Sequence, residues 1–515
     1  MGESKQRPTS SDMLAPKDTT VPRRGRSVRK IALRFLLAGA TVLLVAALYL
    51  IWFTAGKPKP TIDYVAVLNE TTRPKGLTPE NNAWPHYEKA IGQYIPYQST
   101  LIFNAFSASR NPWFDELDEP AQQAIEQWIA DNEEAWQSFV EGTRKPHCWE
   151  EFRRSQEPDS VIALDVPTLH LDRHPLVPLR HLMLAARWRI RSEAHTGRTA
   201  AALEDCLALV RAGVQWSKAG SLLDSFLALA MAKVGHRELL KVVARTPPDG
   251  IDWQRLEADL TAAYHAGPVE IQMESERLMT LDIVQYTFTR GGIGGGHLIP
   301  RYVWPLVQMN STVITMAPLP KEPTWRQRGL YLAISLAHAR RDATLSECNA
   351  RYDQIEQILA LNPYELSHSG ITITDEQPNI FNYRIRFDSF LREARYFAIE
   401  LSAPAAERFS ELRWRSHAWH DVTRTVLAIK RWHKEHGQYP ESLGQLLGAG
   451  TLAPPPLDPY SDTTLMYRRT ADDFVLYSRG RNLRDDGGTP EIDPDRPWGI
   501  WGTEEAGDVL FWPVR

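Results

Sequence analysis

The chain of 515 residues has only three cysteines, Cys148, Cys206 and Cys348, and none lies within four residues of another. This spacing excludes the paired-cysteine motifs of zinc and redox sites, and so sparse and odd a set makes a poor disulfide framework. Cys206 falls on the apolar face of a predicted helix. We therefore expect buried free thiols.

The chain also lacks the short motifs that announce common catalytic chemistry. There is no Gly-x-Ser-x-Gly elbow, and no Gly-Lys-Ser/Thr follows the glycine-rich run Gly291–Gly296. That run comes after a helical pattern, whereas phosphate loops need a strand before the loop and a helix after it. A flexible loop is therefore the favoured interpretation of Gly291–Gly296.

Histidines occur without the companions that a metalloprotease needs. His417 and His420 lie one helical turn apart, as do His433 and His436, but neither pair contains the glutamate of a His-Glu-x-x-His motif. Solvated helix faces are the favoured interpretation of both pairs. A second group has side chains that could bind a metal, but Pro175 lies within its span. A proline breaks a helix, so the spacing does not place these side chains on one helix face. Its members are His170, Asp172, His174 and His181.

Charge is unevenly distributed along the chain. The net charge is −4, yet residues 1–34 carry nine Lys or Arg and three Asp or Glu, a net of +6, which leaves −10 for the remainder. An acidic remainder lacks the basic footprint of a nucleic-acid-binding protein. We therefore expect no nucleic-acid partner.

One long uncharged run stands out near the N-terminus. Phe35 to Gly56 contains no charged residue, and 22 helical residues rise about 33 Å, which matches the hydrocarbon core of a bilayer. Basic residues concentrate before this run, so the positive-inside rule places the N-terminus in the cytoplasm, although Lys57 and Lys59 weaken the asymmetry. Residues 31–56 are thus a predicted transmembrane helix, with lipid contact over 35–56. A cleaved secretory signal is the alternative, but its apolar run would be shorter and its basic region briefer.

The rest of the chain is expected to fall into four parts. Residues 1–30 are a predicted disordered basic cytoplasmic tail, because they are polar and contain many Ser, Thr and Pro. Residues 57–175 form a stalk and a mixed region with one helix over 120–140. Residues 176–401 show apolar side chains at helical spacing between short links, which predicts antiparallel helices of a solenoid, similar to tetratricopeptide hairpins. Residues 402–515 form a C-terminal module.

The C-terminal module combines one long helix with short strands. A helical pattern over Ser402–His436 ends at Gly437 and is followed by His-Gly-Gln-Tyr-Pro and then Leu-Asp-Pro-Tyr. Two alternating runs, Leu465–Arg469 and Phe474–Ser478, have the signature of a hairpin. A loop of Gly and Asp precedes a last strand over Asp508–Trp512.

These motifs, in this order, resemble the globular domain of the major pseudopilin of type II secretion over about Ala405 to Trp512. In that family the loop after the Tyr-Ser motif binds calcium, which implies Asn482, Asp485, Asp486 and Asp508 as the ligands here. Asn482 stands where the family has an aspartate, and the alternative is a solvated turn in which Asp and Gly serve the backbone. The whole chain is also similar to bacterial single-pass membrane proteins with a helical ectodomain, a likeness that implies no particular activity.

The fold class expected is therefore mainly α, with a transmembrane helix, a helical ectodomain and a small α+β module. The expected function is a non-enzymatic role in protein interaction at the bacterial inner membrane, with the ectodomain outside the cytoplasm. An envelope hydrolase acting on cell-wall polymer or peptide is the alternative. Apart from the calcium implied by the resemblance, no cofactor is expected.

Overall fold

The computed structural model describes residues 25–102, 112–155, 164–172, 176–308, 322–371, 387–401, 406–489 and 507–514. The protein is mainly helical with small antiparallel sheets, as the sequence predicts. Its internal contacts divide it into two units, Met1–Gly56 and Lys57–Arg515.

The first unit contains helix α1, Gly25–Thr54. Within it, Lys30–Thr54 is long and apolar enough to cross a membrane, and it is the one such helix among the described residues. The helix begins earlier than predicted, so the last six residues of the expected disordered tail, 25–30, are helical. Arg and Lys are good helix formers, and extending an existing helix requires no new nucleus.

The described part of the second unit contains sixteen α-helices whose bounds are given below, together with short 3₁₀ helices and five strands. Its helices up to residue 287 are α2 Tyr64–Thr72, α3 Trp84–Gln93, α4 Glu119–Asp131, α5 Glu133–Thr143, α6 Leu176–His195, α7 Thr199–Trp216, α8 Leu222–Arg245, α9 Trp253–Ala263 and α10 Glu274–Thr287. The later helices are α11 Trp325–Ala337, α12 Arg341–Ala360, α13 Pro363–His368, α14 Phe387–Ala394, α15 Phe397–Glu400, α16 Ala406–His436 and α17 Leu443–Gly448. The strands are β1 Arg153–Arg154, β2 Leu171–Asp172, β3 Met466–Arg469, β4 Phe474–Ser478 and β5 Val509–Trp512.

Helices α7 and α8 form the most intimate pair of the core. Ser221 caps α8 by accepting from the backbone N–H of Asp224. Gly213 of α7 and Gly235 of α8 sit where the two backbones touch: an added Cβ would lie 2.7 Å from the carbonyl oxygen of Ala228 or of Cys206, respectively. Glycine is required at both positions because any side chain would push the helices apart.

The long helix α16 joins this core from the C-terminal part of the chain. It packs against α8, α9 and α12, and Val422, Val426 and Ile429 are fully buried in the same apolar cluster as α7 and α8. It also contacts α13 and α17, and Trp419 packs against Phe511 of the antiparallel sheet β3–β4–β5. The long helix thus packs against both the helical region and the rest of the C-terminal module.

The helix predicted over 120–140 is two helices, α4 and α5. The break occurs at Asn132, whose side chain accepts from the backbone N–H of Ile95 at 2.8 Å and donates to the Ile95 carbonyl at 3.0 Å. A side chain that bonds to a distant backbone segment competes with the local helix, which explains the break.

The segment at the start of 57–175, where the sequence predicts a stalk, is hydrogen-bonded to the rest of the second unit. Pro58 forms an antiparallel bridge with Thr289. The side chain of Gln285 on α10 accepts from the backbone N–H groups of Thr61 and Ile62 at 3.1 and 3.3 Å. Prolines here provide extended backbone that pairs with other segments.

The glycine-rich run after α10 forms a turn closed by backbone hydrogen bonds. The sequence had favoured a flexible loop here. The Thr289 N–H donates to the His297 carbonyl at 2.9 Å, and the Gly291 N–H donates to the Gly295 carbonyl at 2.9 Å. The turn packs against the start of α12, where the carboxylate of Asp342 occupies the space that a Cβ of Gly295 would need. Its glycines are explained by this close approach and by positive φ angles.

Candidate functional site

The motifs that carry the pseudopilin resemblance meet at one buried carboxylate, that of Asp458. Its Oδ1 accepts from the hydroxyl of Ser478 at 2.6 Å and from the backbone N–H of Tyr460 at 3.0 Å. Its Oδ2 accepts from the backbone N–H of Arg479 at 3.1 Å. Asp458 therefore joins the Leu-Asp-Pro-Tyr segment to the end of β4.

Tyr460 continues this network to the long helix. Its hydroxyl donates to Glu411 at 2.9 Å and accepts from the Nε of Arg415 at 2.8 Å. Arg481 pairs with the other oxygen of Glu411 at 2.7 Å. The loop after β4 is thus attached to α16 by an exposed arginine that pairs with a mostly buried glutamate.

The four residues predicted to bind calcium lie in or beside the Asp/Gly loop, which we define as Ser478–Gly488. The Asn482 side chain donates to Asp486 at 2.7 Å, and its own oxygen accepts from a loop N–H. Asp485 accepts from the hydroxyl of Tyr477 at 2.9 Å. Asp508, just before β5, accepts from the N–H groups of Asp486 at 3.0 Å and Gly488 at 2.6 Å through Oδ2.

Asp508 is the member of this set with an unused ligand position. Its side chain is fully buried, and Oδ1 has no hydrogen-bond partner among the described residues. Burial raises the pKa of Asp508, and the nearby Asp485 and Asp486 raise it further. Within the described parts of the chain, no three His, Cys, Asp or Glu side chains converge as a metal-binding group. Calcium, which takes six to eight oxygens, would need backbone carbonyls and water to complete its shell here.

A second polar centre of the module surrounds Lys430 of α16. Its ammonium group lies 2.8 Å from the hydroxyl of Tyr439, 3.3 Å from Asp473 and 4.5 Å from the ring centre of Trp512. Trp512 in turn donates from Nε1 to both oxygens of Asp473 at 3.0 Å. Burial lowers the pKa of Lys430, while Asp473 opposes that change. The cluster connects the helix, the β3–β4 turn and β5.

The histidines singled out from the sequence have individual partners. His170 is buried with Nε2 at 2.6 Å from the carbonyl oxygen of Leu164, and His181 packs against the ring of Tyr97 at 5.4 Å. Asp172 is an exposed residue of β2, and His174 lies outside the described residues.

The histidine pairs of α16 are likewise engaged with neighbouring groups. His417 Nε2 lies 3.3 Å from a backbone carbonyl oxygen. His433 stacks on Tyr439 with ring centres 4.2 Å apart, and His436 stacks on Trp432 at 3.8 Å. These stacked rings bury apolar surface at the helix end, which a purely solvated face would not do.

A buried histidine that the sequence analysis missed forms a hydrogen-bonded chain. Thr423 donates its hydroxyl proton to the carbonyl of Trp419 at 2.8 Å, so it must accept from Nδ1–H of His236, also at 2.8 Å. His236 Nε2 then accepts from the hydroxyl of Tyr264 at 2.6 Å. Burial, with the nearby His420, lowers the pKa of His236, which keeps it neutral. The ring of His420 stacks on Tyr264 at 4.0 Å.

A second missed cluster places three carboxylates around one guanidinium. Arg189 contacts Glu133 and lies 2.8 Å from Asp205 and 3.3 Å from Glu193. Asp205 also accepts from the indole N–H of Trp136 at 3.1 Å. Burial, with the charge of Asp205, raises the pKa of Glu193 to about 7. The spacing of Arg189 and Glu193 was the signal available in the sequence, while the other partners come from α5 and α7.

Comparison with protein-family models, with curated proteins and with solved structures gives no match. The function must therefore be argued from the residues of this chain.

Proposed function

We propose that this chain is a bacterial inner-membrane protein that acts by binding another protein outside the cytoplasm. The observation that carries the proposal is helix α1, whose Lys30–Thr54 stretch has a mean hydropathy of 2.4 in its most apolar window and sufficient length to cross a bilayer. The basic residues before the stretch favour a cytoplasmic N-terminus. The acidic ectodomain then lies on the opposite side.

An exposed tryptophan supports the interaction role. Trp325, the first residue of α11, is 78% exposed. Tryptophan is the residue type most enriched among the side chains that dominate protein interfaces. A large ring held in water at a helix end therefore marks a candidate contact for the partner.

Cross-linking of the full-length protein in intact cells tests the interaction role. A stoichiometric complex is expected, and Trp325→Ala should reduce it several-fold, whereas Leu457→Ala, at another exposed apolar position, should leave it unchanged. A fusion of residues 1–56 to an unrelated folded domain controls for contacts made by the anchor. Recovery of no stoichiometric partner, or equal recovery with the fusion, would count against the proposal.

The pseudopilin-like module is proposed to stabilise the ectodomain with calcium bound by Asn482, Asp485, Asp486 and Asp508. The Asp508 Oδ1, which has no hydrogen-bond partner in the described part of the chain, supports this proposal, because a buried carboxylate oxygen without a donor is costly unless a cation compensates it. The ion would supply positive charge beside the buried Asp508 carboxylate, and backbone carbonyls and water would complete its shell.

Thermal unfolding of the full-length protein in detergent tests the calcium proposal. A chelator should lower the melting temperature of the native chain and have no effect on Asp508→Asn. Magnesium at the same concentration should restore less stability than calcium, because it demands a tighter octahedral shell. An unchanged melting temperature in the presence of chelator would refute calcium binding.

The envelope hydrolase remains a second candidate because of the Tyr264–His236–Thr423 chain. The Tyr264 hydroxyl donates to an imidazole that Thr423 orients, which is the geometry of a nucleophile beside its base, although burial raises the pKa of this hydroxyl. Hydrolysis of cell-wall fragments that Tyr264→Phe abolishes without loss of folding would support it. Equal product formation by the native chain and the variant would end it.

A further inference from the structure

The surface around the start of the ectodomain must lie close to the bilayer if α1 spans it. Only three residues separate Thr54, the end of α1, from Pro58, so the Cα atoms of these two residues are at most about 14 Å apart. Pro58 bridges to Thr289. Thr289 and its exposed neighbour Arg290 therefore belong to the membrane-proximal surface of the ectodomain.

Two further arginines reach the same surface through direct contacts. The side chain of Arg340 packs against Gly294 in the turn that follows Arg290, since a Cβ on this glycine would lie 2.6 Å from the Arg340 Cβ. The backbone N–H of Ala339 donates to the carbonyl of Arg395 at 2.8 Å. The structure thus brings residues 290, 340 and 395 together.

This surface is strongly positive, in contrast to the acidic ectodomain as a whole. Its five cationic side chains are all exposed, and none takes part in an ion pair within the described residues. Its acidic neighbours include Asp342, which lies against Gly295 in the adjoining turn, and Glu393, two residues before Arg395. We define the basic face as Lys57, Lys59, Arg290, Arg340 and Arg395.

An apolar side chain accompanies the basic face. Leu336 of α11 is 46% exposed. It lies four residues before Arg340 of the basic face, so the two Cα atoms are at most about 14 Å apart. Basic side chains next to an exposed aliphatic one can reach headgroup phosphates and the start of the acyl region at the same time.

We propose that the basic face binds the anionic headgroups of the bilayer in which α1 is inserted, and so holds the ectodomain against the membrane. The occupant follows from two observations, the continuity of the face with the end of the anchor and the charge complementarity with anionic lipid. The inference rests on the membrane anchoring proposed above. It predicts a restricted ectodomain orientation on anionic bilayers.

Full-length protein in lipid nanodiscs provides the test. Leu336→Cys carries a nitroxide, while the three native cysteines are buried, and relaxation by a gadolinium chelate on lipid headgroups reports proximity. We expect relaxation about threefold stronger in discs containing phosphatidylglycerol than in phosphatidylcholine discs. A label at Leu223→Cys, a position 62% exposed on α8, is the control for an unbound surface.

Charge reversal separates lipid binding from accidental proximity. Arg290→Glu, Arg340→Glu and Arg395→Glu together should abolish the difference between the two lipids. The same number of reversals at Arg144, Arg468 and Arg469 should preserve it. Equal relaxation in both lipids, or a signal unchanged by the first set, overturns the inference. Incorporation of the protein into discs is measured separately, so that failure of the anchor is distinguishable from failure of the basic face.

Discussion

The helical region Leu176–Arg245 and the C-terminal module Ala406–Val514 bury charge in different ways. In the helical region, Arg191 is fully buried and forms two bonds with Glu238, at 2.8 and 2.6 Å. In the module, Asp458 and Asp508 accept mainly from backbone N–H groups. Helices satisfy their own backbone, so their buried charges pair across helices, whereas short strands and loops leave N–H groups that carboxylates must satisfy.

The largest expected effect comes from breaking the pair in the helical region. Glu238→Gln leaves the Arg191 guanidinium buried without its counter-charge and should cost about 3–5 kcal/mol of unfolding free energy. Burial opposes ionisation of Glu238, but Arg191 outweighs it and lowers the pKa to about 2. Denaturant unfolding measures the loss. Glu204→Gln, which breaks a more exposed pair with Arg211, should cost less than about 1 kcal/mol, and equal losses would contradict this account.

Close helix packing predicts the next effect. Gly235→Ala should cost about 3 kcal/mol, because the new methyl group meets the backbone of α7 and the two helices must separate. Gly92→Ala is the matched control: its Cβ would meet nothing within 4 Å, so the change should be neutral or stabilising by up to about 1 kcal/mol. Denaturant unfolding compares the two. Similar stability of both variants would show that α7 and α8 are not in intimate contact.

The C-terminal module should instead be destabilised by the loss of a carboxylate that accepts hydrogen bonds. Asp458→Asn places an amide donor against groups that themselves donate, and it should cost about 2 kcal/mol. Hydrogen exchange should become faster at the backbone N–H of Arg479, which donates a hydrogen bond to Asp458. Asp462→Asn makes the same chemical change at an exposed position and should leave both quantities unaltered. Unchanged exchange in Asp458→Asn would disprove the role of this carboxylate.

The smallest effect is a pH dependence from Glu193 of the helical region. The groups around it are Arg189, Asp205, Glu133 and Arg198. Because its pKa is raised to about 7 from an ordinary 4.5, the folded chain retains a proton that the unfolded chain releases. The resulting stability is complete below pH 4.5 and is lost as the pH rises to about 7.

Glu193→Gln should remove this part of the pH dependence and add about 1 kcal/mol of stability above pH 7. Unfolding titrations between pH 4.5 and 8 measure it. Glu134→Gln, at a neighbouring position of α5, should keep the native dependence of the unfolding free energy on pH if Glu193 is the titrating group. A native slope in Glu193→Gln would assign the proton to another group.

The helices of the region from 176 to 263 could be predicted because each turn repeats its apolar positions and because Ser221 marks a cap. The break at Asn132 could not be predicted, since it depends on Ile95, which becomes a neighbour only after folding. The partners of His236 could not be predicted for the same reason. Its position between Ala232 and Leu239 on the apolar face of α8 did indicate that His236 is buried.

The Asp/Gly loop could be located from its composition and from the resemblance, but its long-range hydrogen bonds could not be predicted. The local sequence around Asp458 indicates only a turn, and its hydrogen bond with Ser478 depends on the folded structure. Lys430 reads as an ordinary charge on a long helix, yet the chain encloses it with side chains from residues 439 to 512. Long-range polar contacts are the part of this fold that local patterns do not encode.

Accessibility of engineered cysteines in intact and permeabilised cells tests the central claim most directly. The native cysteines are buried, so a membrane-impermeant maleimide reports only added sites, one at Ser10 and one at Leu223. We predict modification at position 223 in cells with an intact inner membrane, and at position 10 only after that membrane is opened. Modification at position 10 with protection at 223, or a mature chain that begins near Lys57, would contradict the proposed anchor.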